Sequence, residues 1–452
     1  MARTFAWGMV ALTGGCSLIN PTAEFGDLVD GGYDAGQIED ATTSDGGRDS
    51  GTDSGSHGDA EVDAGSCVPG AEVCNGVDDD CDGRVDEGDL RNLCAEGGVA
   101  CIEGSCLRPV QLAAGSEHVC LVAEAGDVWC WGSNRQGQLC APTVEEHATR
   151  PTRTELANAT SIALGDRHTC ARDADGAVYC CGDNDWGQLG DGSRTPSPSP
   201  VRASPLPSAS SVGASSTGSC AISSGELLCW GREVGTTNRL TRPVPVPGLS
   251  DISAVSGGQQ HFCAIAGAGR VACWGSNSFG VLGDGTSTPR PGQFVTVMGL
   301  TSAVAIDAGN YFTCALTPAR DVGCWGINTA GQIGDGSLEN RPVFTRSMTA
   351  GMHVTLAAGN THVCATSIDG RAQCWGSNVA GALGHGGTET ESPFPVGVRR
   401  ADAVVLVASG GAFSCATFLS AVQCWGANDR GQLGDGSTAN SSVPVQVAFD
   451  TP

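Results

Sequence analysis

Residues 168–180 read His168-Thr-Cys-Ala-Arg-Asp-Ala-Asp-Gly-Ala-Val-Tyr-Cys180, and Gly187-Gln-Leu-Gly-Asp-Gly192 follows shortly after. Two short apolar runs flank Asp173-Ala-Asp-Gly176, a turn with glycine where a left-handed residue belongs. This stretch is therefore expected to form a β-hairpin. Ser161-Ile-Ala-Leu164 before it reads as another strand. A Pro-Val-x-Val segment supplies a fourth in other copies of the unit, as at residues 243–246 and 444–447.

The unit recurs seven times across residues 110–447. Its first cysteines are Cys120, Cys170, Cys220, Cys263, Cys314, Cys364 and Cys415, spaced by 50, 50, 43, 51, 50 and 51 residues. Its second cysteines are Cys130, Cys180, Cys229, Cys273, Cys324, Cys374 and Cys424. Four short strands in a unit of roughly 40–50 residues mark a propeller blade. The shared pattern is Ala-Gly-x-x-His-x-Cys-Ala, then Gly-x-Val-x-Cys-Trp-Gly-x-Asn-x-x-Gly-Gln-Leu-Gly-Asp-Gly. It resembles the repeat of the regulator of chromosome condensation family. That resemblance implies an all-β, seven-bladed β-propeller over residues 108–452.

Some copies depart from the pattern. Unit three continues after Trp230-Gly as Arg-Glu-Val-Gly-Thr-Thr-Asn and lacks Gly-Asp-Gly. Unit six has Gly384-His385-Gly386 there, unit one ends Gly-Gln-Leu-Cys140, and unit two has Cys181 where others place tryptophan.

Paired cysteines lie opposite one another across each hairpin. Opposed non-hydrogen-bonded positions bring Cα atoms to about 4.5–5.5 Å, within disulfide reach, so seven intrablade disulfides are expected. Buried reduced cysteine acting as apolar filler is the alternative. Cys140 and Cys181, in adjacent blades, are expected to pair with each other.

The 452 residues carry a formal charge of −25, 23 cysteines, 67 glycines and 24 basic residues, every one an arginine. Such acidity excludes a nucleic-acid partner, whose phosphates need clustered positive charge. The cysteine content points to an oxidising compartment. Residues 21–106 hold 22 Asp and Glu against 3 Arg, so the acidity belongs to the N-terminal quarter.

Residues 1–16, MARTFAWGMVALTGGC, resemble a bacterial lipoprotein signal, with Arg3 before an apolar run and Cys16 as lipid acceptor. Leu12 stands one place earlier than that pattern has it, and an ordinary cleaved signal is the alternative. Ser17 after the cysteine favours the outer membrane under the resembled sorting rule. Residues 17–65, rich in Asp, Gly, Ser and Thr, are expected to form a disordered, self-repelling tether.

Residues 66–107 form a cysteine-rich module carrying Cys67, Cys74, Cys81, Cys94, Cys101 and Cys106, whose connectivity stays open. From Asp78 the spacing fits a twelve-residue calcium loop. Asp78, Asp80 and Asp82 stand at positions 1, 3 and 5, Gly83 at the sharp turn, and Arg84 at 7 offers its backbone carbonyl. Asp86 falls at 9 and Asp89 at 12. The core Cys-Asn-Gly-Val-Asp-Asp-Asp-Cys-Asp-Gly-Arg-Val-Asp also resembles a metal-binding repeat of bacterial surface proteins, relatives of which are linked to copper as well as calcium. An all-oxygen donor set favours calcium over copper, and an ion-free acidic knot is the other reading. No helix pattern flanks the loop, so a paired EF-hand is not expected.

His118, His168, His261 and His362 share one repeat position, which Phe312 and Phe413 occupy in other units. Packing between blades with a hydrogen bond to backbone is expected there, not a metal ring. Trp131, Trp230, Trp274, Trp325, Trp375 and Trp425 read the same way. No nucleophile–base pair, phosphate loop or catalytic carboxylate pair is legible.

The functional expectation is an exported, lipid-anchored monomer at the outer membrane or cell surface, or a secreted one. It would bind a protein or glycan at the propeller faces and carry an accessory calcium loop. A propeller-face lyase or hydrolase is the alternative. Guanine-nucleotide exchange enters by family resemblance alone, and the resembled family also includes a secreted β-lactamase inhibitor.

Overall fold

Each unit folds as a four-stranded antiparallel meander in the computed structural model, which describes residues 70–94, 97–401 and 403–449. The signal, Cys16, the acidic stretch 17–65 and Cys67 lie outside the described residues. Blade one comprises Pro109–Ala114, His118–Ala123, Val128–Ser133 and His147–Arg153, ordered from the inside outward. Blade seven comprises Leu406–Ser409, Phe413–Phe418, Ala421–Gly426 and Ser441–Gln446. Its inner strand packs beside Pro109–Ala114, so the ring closes with seven contiguous sheets and no exchanged strand.

The sequence explains the layering. Second strands such as His118–Ala123 are buried along their whole length, because both faces meet a neighbouring blade. Outer strands are half exposed and pair on one side only. They carry prolines, among them Pro151, Pro243, Pro342 and Pro444, which have no N–H to offer a stray strand.

All seven hairpin disulfides form, with Cα–Cα separations of 4.0–4.1 Å. Each cysteine pair is in direct register, as in Cys170↔Cys180. Cys140–Cys181 also forms, joining blades one and two. Cys74–Cys101 and Cys94–Cys106 staple the small module, and Cys81 is disulfide-bonded as well.

The core is a set of slabs between blades. In five of the seven junctions an indole N–H donates to a backbone carbonyl in the loop of the preceding blade. The bonds are Trp131 to Gln432, Trp230 to Gln188, Trp325 to Val281, Trp375 to Gln332 and Trp425 to Ala382, at 2.8–3.0 Å. The indole lies against the loop glycine two residues on, as Trp425 does on Gly384, where a Cβ would meet the ring at 2.7 Å. Cys140 and Cys181 replace that glycine and that tryptophan at the junction of blades one and two, so a covalent bond stands in for the stacked contact. At the short blade-three loop, Trp274 packs instead against Phe262 and Phe294 and joins Val234 in one cluster.

The glycine after the tryptophan of each Cys-Trp-Gly segment has φ between 89° and 116°, as does Gly182 after Cys181. A Cβ at Gly132 would lie 2.4 Å from the Glu117 carbonyl, and at this same glycine position the ladder to the fourth strand shifts register in all seven blades.

The histidines do lie between blades, and the partners of their Nε2 atoms are hydroxyls, with the backbone of Phe413 also acting on His362. Nε2 of His118 meets Thr169 at 2.9 Å, His168 meets Ser219 at 2.9 Å, His261 meets Thr313 at 2.8 Å and His362 meets Ser414 at 2.7 Å. Each partner belongs to the following blade. Where the histidine is replaced by Phe312 or Phe413, the corresponding residues of the next blade are Val363 and Val119, both fully buried. Phenylalanine therefore enters only together with an apolar partner.

This pairing predicts a measurable coupling. His261→Phe or Thr313→Val alone strands a buried polar atom and should cost about 1–3 kcal/mol in urea unfolding. The double change recreates the Phe–Val pair found elsewhere in the ring and should cost at least about 1 kcal/mol less than the sum. Additive losses would mean that the two side chains act independently.

Candidate functional site

Three regions carry polar chemistry: the mouth of the central channel, the interblade histidine array and the acidic loop of the module. The channel mouth is built by the tight turns joining first and second strands. Ser116 donates to Asp166 at 2.7 Å, Asn360 donates to Ser116 at 3.2 Å, and the Gly411 N–H donates to the Ser116 carbonyl at 3.1 Å. These bonds run from turn to turn and leave a space of about 50 Å³, too small for an organic substrate.

The same face bears the long loops between third and fourth strands. Buried asparagines organise them: Asn134, Asn184, Asn277, Asn328, Asn378 and Asn428. In blade seven, Asn428 Oδ1 accepts the Leu433 N–H at 2.9 Å, while its Nδ2 donates to Asp435, Ser437 and the Ala439 carbonyl. Blade three has Glu233 at this position, and its loop takes another path.

The histidines are fully buried and neutral. Desolvation lowers His118 and His261 to about 3, and His168 and His362 to about 4. Thr169 gives its proton to the Gln138 carbonyl at 2.8 Å, so His118 Nε2 must be the donor to Thr169. A neutral imidazole in an apolar slab serves as a hydrogen-bonding strut between blades. Asp307 on the inner strand of blade five is raised to about 6 by burial, against three hydrogen bonds from Ala358 N–H, Ser256 and Ala308 N–H.

In the module, the carboxylates of Asp78, Asp80 and Asp82 converge, with ligand oxygens within 4.8 Å of one another. The Gly83 N–H donates to Asp78 at 3.0 Å, and Gly83 takes φ 91°, the sharp turn expected there. The Arg84 N–H donates to Asp82, which tightens the loop around Arg84. Asp86 points to the other end, accepting the N–H groups of Asn75 and Gly76. Asp89 opens the single helical turn Leu90–Leu93, its carbonyl accepting from Asn92 and Leu93. Sequence reading missed Glu72 and Glu87, which form a second group with Asp80. Desolvation raises Glu87, with the charges of Asp82, Glu72 and Asp80 acting in the same direction. Both glutamates lie close in sequence, but one precedes the twelve-residue window and the other holds none of its ligand positions.

The geometry defines a closed seven-bladed propeller of disulfide-stapled repeats with a small acidic module packed on blade one through Val99, Ala100 and Leu107. Models of the regulator of chromosome condensation (RCC1) repeat match residues 125–172, 175–222, 268–316, 369–417 and 421–451, and a second such model matches 110–138, 159–188, 252–281 and 303–332. The chain belongs to this repeat family. It is 28% identical over 275 residues to the ultraviolet-B receptor UVR8 of Arabidopsis thaliana, covering 57% of this chain and 62% of that one. To the mitochondrial RCC1 domain-containing protein RUG3 of the same plant it is 32% identical over 155 residues, 30% of this chain and 34% of that one. The chain thus spans less than two thirds of these relatives.

Among solved structures, Prp20p of Saccharomyces cerevisiae superposes with a TM-score of 0.62 at 23% identity, covering 75% of this chain and 87% of that one. Human WBSCR16 superposes at 0.59 with 20% identity, covering 68% and 86%. These likenesses establish the fold.

The buried histidines set the response to acid. Each is neutral when folded and protonates near 6.5 when unfolded, so the unfolded chain binds more protons below that pH. Their contribution is complete above about pH 6.5 and is lost as the pH falls toward 4 and 3, at up to about 1.4 kcal/mol per pH unit per histidine. His353 is shifted in the same direction, burial being the first cause. Asp307 works oppositely, between about 6 and the usual 3.8, and offsets one of them. Urea unfolding from pH 7 to 4 should show a steep fall in stability, and His118→Gln should remove about one proton from the uptake. A flat profile would contradict the burial of neutral imidazoles.

Proposed function

We propose that this protein is an exported, lipid-anchored interaction module that holds a binding propeller away from an outer membrane or cell surface. One observation carries the reading: each of the 21 described cysteines is disulfide-bonded. Stable staples of this density belong to an oxidising compartment. The signal-like residues 1–16 with Cys16, and the acidic stretch before the module, fit an anchor and spacer. The fold relative Prp20p is known for binding Gsp1p and histones, so a propeller of this build serves protein recognition there. Nucleotide exchange on a cytosolic GTPase is disfavoured by the same disulfides, and the small space at the channel mouth weighs against a central catalytic pocket.

The module's acidic loop is proposed to bind calcium. Three converging carboxylates, the Gly83 turn and an all-oxygen donor set fit a hard cation. Asp78, Asp80 and Asp82 would be the principal ligands, with the Arg84 carbonyl next in the loop and Glu72 and Glu87 beside them. Bound calcium would neutralise this acidic group and fix the loop.

Two measurements test these readings. Intact cells treated with a membrane-impermeant label should label the propeller, and Cys16→Ser should release it from the membrane fraction. A cytosolic protein with free thiols would overturn the assignment. Calorimetric titration of the full chain should give a calcium dissociation constant of about 10⁻⁴–10⁻³ M, lost on changing Asp78, Asp80 and Asp82 to Asn. Absence of heat at millimolar calcium would end the metal reading.

A further inference from the structure

Blade three departs from the ring in a way that exposes a recognition feature. After Trp230-Gly231 its chain turns at once. The Glu233 N–H donates to the Asn238 carbonyl at 3.1 Å, and the fourth strand starts at Arg239. The turn brings Arg232 directly opposite Arg239 in the antiparallel register. Like charges directly opposed on a ladder are destabilising.

Both guanidiniums lie on the ring of Trp186, at 4.7 Å for Arg232 and 4.5 Å for Arg239. Trp186 stands at the apex of the blade-two loop, where the other long loops have Gln136, Phe279, Ala330, Ala380 and Arg430. Arg239 is exposed, and Arg232 and Trp186 are half-buried.

Among the described residues, no carboxylate forms an ion pair with either arginine. Neighbouring acids are engaged elsewhere. Glu233 accepts from Thr236 and Asn238 in its own turn. Asp183 pairs with Arg167 at 2.7 Å, and Asp191 accepts from Asn184 and Ser193. Asp185, exposed beside Trp186, pairs with neither arginine. In a chain of net charge −25, two uncompensated arginines are thus held together against one aromatic plane.

We propose that this notch docks an acidic segment of the partner protein, whose carboxylates are clamped by Arg232 and Arg239 above Trp186. The proposal rests on the interaction-module reading and specifies the partner's chemistry. Each guanidinium presents a planar fork that matches a carboxylate, and its contact with the Trp186 ring holds it near its neighbour in advance. A bound anion would also remove the repulsion between the two arginines.

The test uses the full chain and a fluorescein-labelled hexaglutamate peptide. Saturable binding with a change in tryptophan emission is expected. It should weaken at least about tenfold in the Arg232→Gln, Arg239→Gln double variant, and likewise on raising salt from about 50 to about 300 mM. Arg346→Gln, at an exposed ion pair of blade five, should bind as the parent does. Trp186→Leu keeps both charges and should lose the emission change and part of the affinity. No binding by the parent chain, or equal binding by the double variant, overturns the proposal. Binding that appears only when the acids of residues 21–65 are changed to amides also overturns it, since the chain's own acidic stretch would then be the occupant. Capture of a native surface partner undiminished in the double variant removes the notch but leaves the module reading. A cytosolic location removes that reading while peptide binding persists.

Discussion

Five of the seven blade junctions are closed by a tryptophan whose indole N–H reaches back to a loop carbonyl while its ring rests on a loop glycine. A single propeller blade buries one strand layer on both faces and cannot do so alone. The junction therefore decides whether the ring exists, and the repeat's most regular features serve it. The loop asparagine holds the loop that presents the carbonyl. The glycine lets the indole approach, and its positive φ is a conformation other residues rarely take. At Cys140 the chain keeps that conformation, at φ 53°, without a glycine, and the disulfide to Cys181 supplies the junction that the missing tryptophan would have made. Trp131 donating to Gln432 is the same contact again, so blade seven locks onto blade one with no special closing strand.

Disulfides solve a different problem. A cross-hairpin bridge closes a loop of 9 or 10 residues, so on the chain-entropy account it constrains the unfolded chain only modestly. Its effect is local: the two central strands of a blade stay in register even when a junction opens. Junction contacts and hairpin staples are therefore complementary, one acting between sheets and the other within them. The histidine–hydroxyl struts add a third, polar link across the same gap.

Much of this was legible in the chain. The paired cysteines and their 50-residue spacing revealed blade number, strand order and the seven intrablade bridges, because both partners lie within one hairpin. Cys140–Cys181 was legible as two exceptions in neighbouring units. Interactions crossing a blade boundary were harder to see. His118 and Thr169 stand 51 residues apart in sequence, and comparing units column by column places them in different columns. Phenylalanine at the histidine position looked like free replacement. Only the adjacency of blades shows that Phe312 comes with Val363 and Phe413 with Val119. In the acidic loop, alternate spacing picked out Asp78, Asp80 and Asp82. It also included Asp86, whose carboxylate the structure turns toward Asn75 and Gly76, and it missed Glu72 and Glu87, whose position depends on how the disulfides fold the module.

A repeat under so regular a structural demand has little freedom at the junction, so individuality must appear in the loops. Blade three shows how. Its loop lost the asparagine and the Gly-Asp-Gly turn, and with them the carbonyl that would have received Trp274; Phe262 and Phe294 fill in with apolar packing instead. The departure is thus structurally compensated on the inside. On the outside it leaves two opposed arginines of blade three on a tryptophan of blade two, where cation–π contact offsets only part of the repulsion between the two charges. A departure that is repaired toward the core but left open toward solvent lets a repeat carry a distinctive surface without opening a junction, and the docking notch proposed for blade three has that character.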